Sequence, residues 1–414
     1  LFESVGFRLF RLASVEAPRT HFVHFRVVDE NSEQGWNQYN GDFWGLYLAV
    51  EQYDGNFLDE HGLPDGNLYK MEQFTGDLEN QSPFGPTNKS DLNWFLDQYN
   101  NHAPDSTWWR RNFDLNRYFS FRSIVEAIHH YDVGSGKNYY YFINPETRQW
   151  SIHPWDIDQT WAENMIGDGD EPFYSLVAQN PAFTLEYQNR MREIRDLLFN
   201  PEEVNRMIDE HANLIDNASN GLSMVDADRI MWDYNPIFRS RYVSPLKTAV
   251  GQYYKRAADG TFRGMAELMK TWVLTRGSWI DARIINDPQI PQTPWVGYSG
   301  APGFPADGLR FQSADFVDPQ GNQTFGAMKW RIAEIVRPGL PTYNPNAPQR
   351  YEMQATWESA RLSAFTGSMT PPVGVIQPGR TYRVRVRMQD NTGRWSHWSP
   401  PMEFTAGAPS TPAW

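Results

Sequence analysis

The chain of 414 residues contains no cysteine, which excludes structural disulfides, thiolate metal sites and cysteine nucleophiles. No apolar run approaches the ~18 residues that span a membrane, so we expect no membrane span in this stretch of chain. Basic residues are outnumbered, and the net charge is −13. That charge argues against nucleic acid as a partner, because phosphate binding needs clusters of Lys and Arg.

The chain is long enough, and at 40% hydrophobic residues apolar enough, to form the cores of two or three domains. Its 17 Trp and 20 Tyr are expected mainly in cores, with some on surfaces that stack on rings or sugars. The first residue is Leu, and an amphipathic pattern follows at once. We therefore expect a fragment of a longer precursor, whose lack of a signal peptide says nothing about export.

The first part of the chain mixes helical and extended patterns. The sequence predicts a helix over Phe2–Leu12 and strands over His21–Val28 and Phe43–Val50, with a hairpin turn at Asn40-Gly41 before the second strand. Residues 184–281 follow a largely helical period. This combination predicts an α+β domain.

A capped helix and a hairpin stand at the centre of this domain. Asp114 is a good N-cap for a helix that runs to about His130. Strands over Asn138–Ile143 and Gln149–Ile152 then flank a turn that contains Pro145. The irregular acidic stretch after the hairpin, which includes Asp168–Glu171, is expected to be a solvated loop.

Beyond residue 286 the composition changes. Residues 286–308 are rich in Pro and Gly, as a linker or domain entry would be, and only short strands separated by turn residues follow. This pattern predicts an all-β sandwich that resembles a fibronectin type III or immunoglobulin-like domain. We place the domains at residues 1–288, the linker at 289–296 and the sandwich at 297–408.

One strand of this sandwich alternates apolar and basic residues. Its apolar residues face a core, whereas Arg383, Arg385 and Arg387 line the opposite face. Trp395 and Trp398 follow in a Trp-Ser-His-Trp-Ser element, and their rings are expected to interleave with the arginines in a cation–π ladder. We expect this ladder to stiffen the sandwich rather than to bind a ligand.

Polar residues collect at the open end of the predicted hairpin. A turn centred near Glu146 places Asn138 opposite about Pro154, so that Asp156 returns beside the loop that carries Asp132. Asp156 and Asp158 are two residues apart and share one face of an extended segment. Such a set of hard oxygen ligands suits Mg²⁺.

Phosphoryl transfer needs a set of this kind. One Asp orients the substrate hydroxyl, and an Asn and a second Asp hold metal ions against the nucleotide phosphates. The order Asp, Asn, hairpin, Asp is the order of protein kinases. The spacing differs by one residue, because Asn138 follows Asp132 by six positions and the kinase Asn follows its Asp by five.

Several motifs carry a resemblance to a known family: "GLYLAVEQYDGNFLDE", "GNLYK" and "NYYYFINPETRQWSIHPWDIDQTW". Together they resemble the CotH kinase family of atypical secretory kinases over roughly residues 1–285. The resemblance implies a two-lobed kinase-like fold and transfer of the ATP γ-phosphoryl group to Ser or Thr of a secreted or cell-surface protein. It also implies Mg²⁺ or Mn²⁺ as the metal.

The resemblance assigns roles by position. It implies that Asp132 is the catalytic Asp, that Asn138 is the loop Asn and that Asp156 binds metal. Glu51 and Lys70 match its "VEQ" and "NLYK" motifs, which we place on the nucleotide side. Asp158 remains open between a second metal ligand and a structural cap.

Two departures from the family pattern concern the nucleotide. Family members usually begin with further strands, so we expect the nucleotide lobe to be truncated at its N-terminus. Lys137 stands where the family more often has His, and it either reaches a phosphate or is a solvated loop residue. His129, His130 and His153 lack a further ligand at metal spacing, so core or hydrogen-bonding roles are expected.

Three functions stay open at this point. The first is an active protein kinase, and the second is a pseudokinase or cell-surface scaffold. The third is a carbohydrate-active or carbohydrate-binding protein, which the aromatic and acidic content allows. A glycosidase needs two carboxylates about 5–9.5 Å apart across a cleft, whereas clustering on one face beside an Asn favours phosphate and metal.

Overall fold

The structure is a computed structural model that describes most of the chain. The described residues are 1–27, 42–134, 136–162, 169–217, 221–232, 243–244, 251–252, 257, 259 and 261–410. They combine helices with several antiparallel sheets, so the α+β class is confirmed. None of the described helices has the length and apolar character that crossing a bilayer requires.

The described helices are numbered in chain order. They are α1 Phe2–Leu12, α2 Gly55–Glu60, α3 Ser90–Asn101, α4 Ser106–Asn112, α5 Leu115–Ile128, α6 Tyr174–Gln179, α7 Pro181–Leu197, α8 Pro201–Ile215, α9 Met224–Trp232 and α10 Phe262–Arg283. A 3₁₀ turn lies at Asn322–Thr324.

The strands are β1 Thr20–Arg26, β2 Phe43–Val50, β3 Leu68–Glu72, β4 Thr75–Asn80, β5 Tyr139–Ile143, β6 Trp150–Pro154, β7 Val243–Ser244, β8 Gly251–Gln252, β9 Val296–Tyr298, β10 Phe311–Ser313, β11 Phe325–Glu334, β12 Trp357–Glu358, β13 Ser368–Met369, β14 Thr381–Asp390 and β15 Met402–Thr405.

The chain divides into two compact units. Unit 1 comprises Leu1–Asn180 and Val204–Arg276, and unit 2 comprises Pro181–Glu203 and Gly277–Trp414. Unit 2 thus joins a helical segment to the strand-rich region. The boundaries that the sequence indicates near residues 288 and 297 stay a prediction.

Unit 1 carries two main antiparallel sheets. Strands β1 and β2 form one, and β4, β3, β5 and β6 form the other in that order. Helix α1 and strand β2 have the bounds that the sequence predicts, and β1 begins one residue before the predicted strand. The predicted Asn40-Gly41 turn lies outside the described residues.

Strand β5 is buried on both faces. Tyr140 and Phe142 pack into a cluster with Tyr53, Phe57 and Leu68. On the opposite face, Tyr141 belongs to a large aromatic cluster. In this cluster Phe95 of α3 stacks on Trp150, with 4.7 Å between ring centres, and meets Tyr141 edge-on at 5.5 Å. Its members are Phe95, Tyr99, Trp109, Phe113, Tyr141, Trp150 and Phe173. Side chains on both faces therefore fix the position of the hairpin.

Unit 2 contains two antiparallel sheets with a common core. Strands β13, β10 and β9 form one sheet, and β12, β11, β14 and β15 form the other. One apolar cluster takes residues from both sheets, among them Phe311, Met369 and Trp330. The apolar half of β14, Tyr382, Val384, Val386 and Met388, lies in this core as the sequence predicts.

The basic face of β14 is not open to solvent. Arg383, Arg385 and Arg387 are all buried. The guanidinium of Arg387 lies 4.5 Å from the ring centres of both Trp395 and Trp398, which confirms the predicted ladder for this residue.

Carboxylates neutralise the arginines of β14. Glu352, itself buried, accepts hydrogen bonds from Arg383 and Arg385, both at 2.9 Å. Arg383 also pairs with Glu202, and Arg387 lies 3.2 Å from Glu193. The helical segment Pro181–Glu203 therefore supplies part of the countercharge within unit 2.

We expect Glu352→Gln to destabilise unit 2 by about 3–5 kcal/mol, because it leaves the buried Arg385 without its carboxylate partner and removes one of the partners of Arg383. Hydrogen exchange of peptides from β14 measures this change in the full chain. The control is Asp281→Asn, which breaks the half-exposed pair with Arg195 and should cost only about 0–1 kcal/mol. Equal effects of the two substitutions would contradict the buried-pair account.

Candidate active site

Helix α5 leads the chain into the site. The Asp114 side chain accepts a hydrogen bond from the backbone N–H of Arg117 at 3.0 Å, which confirms the predicted N-cap. The helix ends at Ile128, about two residues before the predicted end, and His129 takes a left-handed conformation with φ of 60°. This cap stops the helix and sends the chain towards Asp132.

The hairpin that faces this loop is set by its turn. The Asn144 side chain accepts hydrogen bonds from the backbone N–H groups of Glu146 at 2.8 Å and Thr147 at 3.1 Å. Such bonds hold a turn in place of a backbone partner. The sequence prediction of this turn is confirmed.

The register of the hairpin differs by one residue from the prediction. Tyr139 pairs with Pro154, whereas the sequence places Asn138 there. The backbone N–H of Trp155 donates to the carbonyl of Asn138 at 3.1 Å. Asn138 and Asp156 both have left-handed φ values, 64° and 49°. Asn and Asp tolerate this conformation better than most residues, and it turns both out of the strands at the open end.

Asp132 and Asn138 are in direct contact. The Asn138 side-chain amide donates to the Asp132 backbone carbonyl at 2.7 Å and to its carboxylate at 2.9 Å. Lys137 lies 3.0 Å from the other carboxylate oxygen of Asp132. Because the amide nitrogen is used by Asp132, the amide oxygen is the atom of Asn138 that can face a cation.

Asp156 and Asp158 add negative charge beside this pair. Desolvation and then repulsion by Asp132 raise the pKa of Asp156, and Lys70 and Lys137 oppose the shift. Desolvation and then repulsion by Asp156 raise the pKa of Asp158 to about 6. Both side chains remain partly exposed, so solvent screens the energetic effect.

The donor set fits a hard divalent cation that nucleotide phosphates help to hold. Mg²⁺ in nucleotide sites takes one or two carboxylates together with phosphate oxygens. Asp156, Asp158 and the Asn138 amide oxygen are donors of this type, and repulsion from other carboxylates adds to desolvation in raising the pKa values of the two aspartates. Among the described residues, no three acidic or histidine side chains surround one point.

Strand β3 borders the same site. Lys70 pairs in register with Tyr140 of β5, and its ammonium lies 5.8 Å from the Trp155 ring centre. The charge of Glu72, two residues after Lys70, also raises the pKa of Asp156. No motif marks this residue, because its role depends on strand pairing.

An acidic residue that the sequence analysis missed comes from α1. Desolvation, followed by repulsion from Asp158 and Asp156, raises the pKa of Glu3 to about 7. Its position in a predicted amphipathic helix gives no sign of this role.

Glu51 has different partners. Its carboxylate accepts a hydrogen bond from the backbone N–H of Arg19 at 2.8 Å and lies 2.9 Å from the His61 ring. These described contacts do not join it to Asp132, Asn138 or Asp156. Its nucleotide role stays a prediction.

The three histidines named from the sequence are buried near the site. His129 contacts the Ala162 carbonyl at 2.5 Å, and His153 contacts Ser151 at 2.8 Å and the Glu16 carbonyl at 3.0 Å. Burial lowers the pKa of His130 to about 3, against the opposing effect of the backbone at Asn138 and Trp155. These rings are neutral at pH 7.

The expectation of a solvated acidic loop is wrong for Glu171, which is buried, whereas Asp170 is partly exposed and ion-paired. The buried Arg122 of α5 binds Asp170 at 3.0 Å, and Tyr118 donates to Glu171 at 2.8 Å. Glu171 is buried, so a neighbouring cation and hydroxyl are needed to hold its charge. Gly169 of the same segment forms a β-bridge with Asp132. Asp168 lies outside the described residues.

A family model described as CotH kinase protein matches residues 3–280. The chain belongs to the CotH kinase family. This match includes every candidate site residue, and the strand-rich end of the chain lies beyond it. Among curated proteins, none matches the chain.

For this CotH family member, we expect the Asp158 carboxyl to titrate near pH 6, and Asp156→Asn to lower that pKa because one source of repulsion is removed. Carboxyl-detected NMR titration measures both values. At Asp158 the folded chain binds more protons than the unfolded chain between pH 3.8 and about 6, so the contribution of this group to the free energy of unfolding falls as pH rises through this range.

The matched control is Asp97→Asn in α3, whose carboxylate accepts a hydrogen bond from Asn101 and contacts His102. It should leave the pKa of Asp158 unchanged. A value near 4 for Asp158 in the unsubstituted protein would contradict the coupling with Asp156.

Proposed function

We propose that this CotH family member is an atypical protein kinase that transfers the ATP γ-phosphoryl group to Ser or Thr hydroxyls. The observation that carries the proposal is the contact of Asn138 with Asp132 at the mouth of the hairpin, where Asp156 is electrostatically coupled to both Asp132 and Lys137. A hydroxyl-orienting Asp beside an Asn and a second Asp is the set that phosphoryl transfer uses.

Each residue has a proposed role. Asp132 orients the acceptor hydroxyl and accepts its proton. Asn138 and Asp156 hold Mg²⁺ or Mn²⁺, with Asp158 as a second ligand or a structural cap. The bound cation neutralises charge on the phosphates. Most of the rate enhancement then comes from positioning and charge neutralisation.

Three further residues are proposed for the nucleotide. Lys70 faces the Asp156 side of the site, where its charge suits a phosphate. Lys137 either binds a phosphate or holds Asp132 in place. Glu51 is assigned to the nucleotide side on the family motif alone.

A second candidate is a pseudokinase or cell-surface scaffold. Its support is the Lys137 ion pair, because a Lys 3.0 Å from the Asp132 carboxylate competes with an acceptor hydroxyl for that oxygen. The six-residue spacing from Asp132 to Asn138 favours the same candidate.

The family resemblance further supports a two-lobed kinase-like domain and a secreted or cell-surface location. The two sheets of unit 2 and their common core support a fibronectin type III-like sandwich as a spacer or stiffening domain. Protein substrates with Ser or Thr on secreted or surface proteins follow from the same family.

We expect Asp132→Ala to reduce phosphoryl transfer by about 100-fold or more, because the acceptor hydroxyl loses its orienting base. Asp156→Ala should remove Mg²⁺-dependent ATP binding as well. Transfer of radiolabelled phosphate to a Ser/Thr peptide library measures the first effect, and calorimetry with Mg·ATP or Mn·ATP measures the second.

Asp97→Ala serves as the control, since this carboxylate pairs only locally with Asn101 and His102. Transfer unaffected by both site substitutions would refute the assignment of Asp132 and Asp156. Absence of nucleotide binding in the unsubstituted protein would support the scaffold.

A further inference from the structure

The turn between β3 and β4 breaks a local rule. Glu72 pairs with Thr75, so the turn contains two residues, Gln73 and Phe74. Both have positive φ, 48° and 64°. Two-residue turns of this type favour Asn-Gly, because most other side chains are strained there. A bulky Phe in this conformation is an outlier, and such strained residues occur often at functional sites.

Burial of the Phe74 ring does little to offset this backbone strain. It is 66% exposed, whereas most large rings of unit 1 are buried. An exposed aromatic side chain held in a strained turn is available for a partner.

Phe74 is fixed against the loop that connects Asp132 to Asn138. Its backbone N–H donates to the Gly136 carbonyl at 3.3 Å. Gly136 has φ of 65°, and a Cβ there would lie 2.6 Å from the Phe74 backbone. The close approach therefore requires glycine. It places the turn one residue from Lys137, the ion-pair partner of Asp132.

We propose that Phe74 is a specificity residue that binds an apolar side chain flanking the acceptor Ser or Thr of the protein substrate. The inference rests on the proposed kinase function. It commits to the peptide because Phe74 contacts the loop that carries Asp132, the residue proposed to orient the acceptor hydroxyl. The cation is assigned to Asn138 and Asp156, and a phosphate to Lys70.

The chemistry also favours an apolar contact. Charged residues lie close to Phe74 along the chain, because Glu72 ends β3 two residues before it and Lys137 follows Gly136, the residue that Phe74 contacts. Phe74 is thus an apolar surface within a charged rim, and burying an aliphatic or aromatic side chain on it removes apolar area from water. We expect peptides with such a residue next to Ser or Thr to bind roughly 10-fold more tightly than those with Gly there.

The test uses the full chain with Mg²⁺ and a non-hydrolysable ATP analogue on an array of Ser and Thr peptides whose flanking positions are varied. The unsubstituted protein should prefer apolar flanking residues. Phe74→Asn should lose the preference, because Asn keeps the left-handed backbone but removes the ring. Phe74→Trp should restore it.

Phe84→Asn is the matched control. Phe84 is 79% exposed in a loop before α3, and its replacement should leave the preference intact. Thermal melting of each variant shows whether it is folded.

An array without apolar preference, or a preference that Phe74→Asn retains, would overturn the inference. Failure of the kinase proposal is distinct, because it appears as absent phosphoryl transfer to the library whatever the array shows.

Discussion

Burial of both faces of β5 is the constraint on which the candidate active site depends. Tyr140 and Phe142 pack into one cluster, and Tyr141 packs into a second cluster on the opposite face. With neither face free, the hairpin cannot shift, since a slip of one residue would exchange its two faces. Its open end is therefore held in place, and this end carries Asn138 and Asp156. The amide of Asn138 then ties the loop of Asp132 to the hairpin.

The two units handle concentrated charge in different ways. In unit 2, buried arginines of β14 meet buried or half-buried glutamates, so that most of the charge is neutralised within the fold. In unit 1, desolvation followed by repulsion from a neighbouring carboxylate raises the pKa values of Asp156 and Asp158, and Lys70 and Lys137 oppose the shift only at Asp156. A structural site neutralises its charges, whereas a site that awaits a cation and phosphates leaves some unneutralised. This difference is the physical reason to place function in unit 1.

The sequence predicted the local elements of the site well. The N-cap at Asp114, the turn at Asn144 and the strands on either side of it follow from residue types within a few positions. The predicted pairing of Asn138 with about Pro154 is within one residue of the observed register, in which Tyr139 pairs with Pro154 and Arg148 takes a left-handed conformation within the turn. The burial of Glu171 was missed because its partner, Arg122, lies 49 positions earlier in the chain, and no short-range pattern joins the two.

The sequence by itself determined which chemistry was available: Asp132, Asn138 and Asp156 in an order that suits phosphoryl transfer, and no cysteine or basic cluster for the alternatives. Only the tertiary structure decided which groups meet. It places Lys70, Glu72 and Glu3 within electrostatic range of Asp156. It also pairs Glu51 with Arg19 and His61. The reason is that electrostatic interactions act through space, over distances set by strand pairing and packing, and sequence patterns encode only neighbours along the chain.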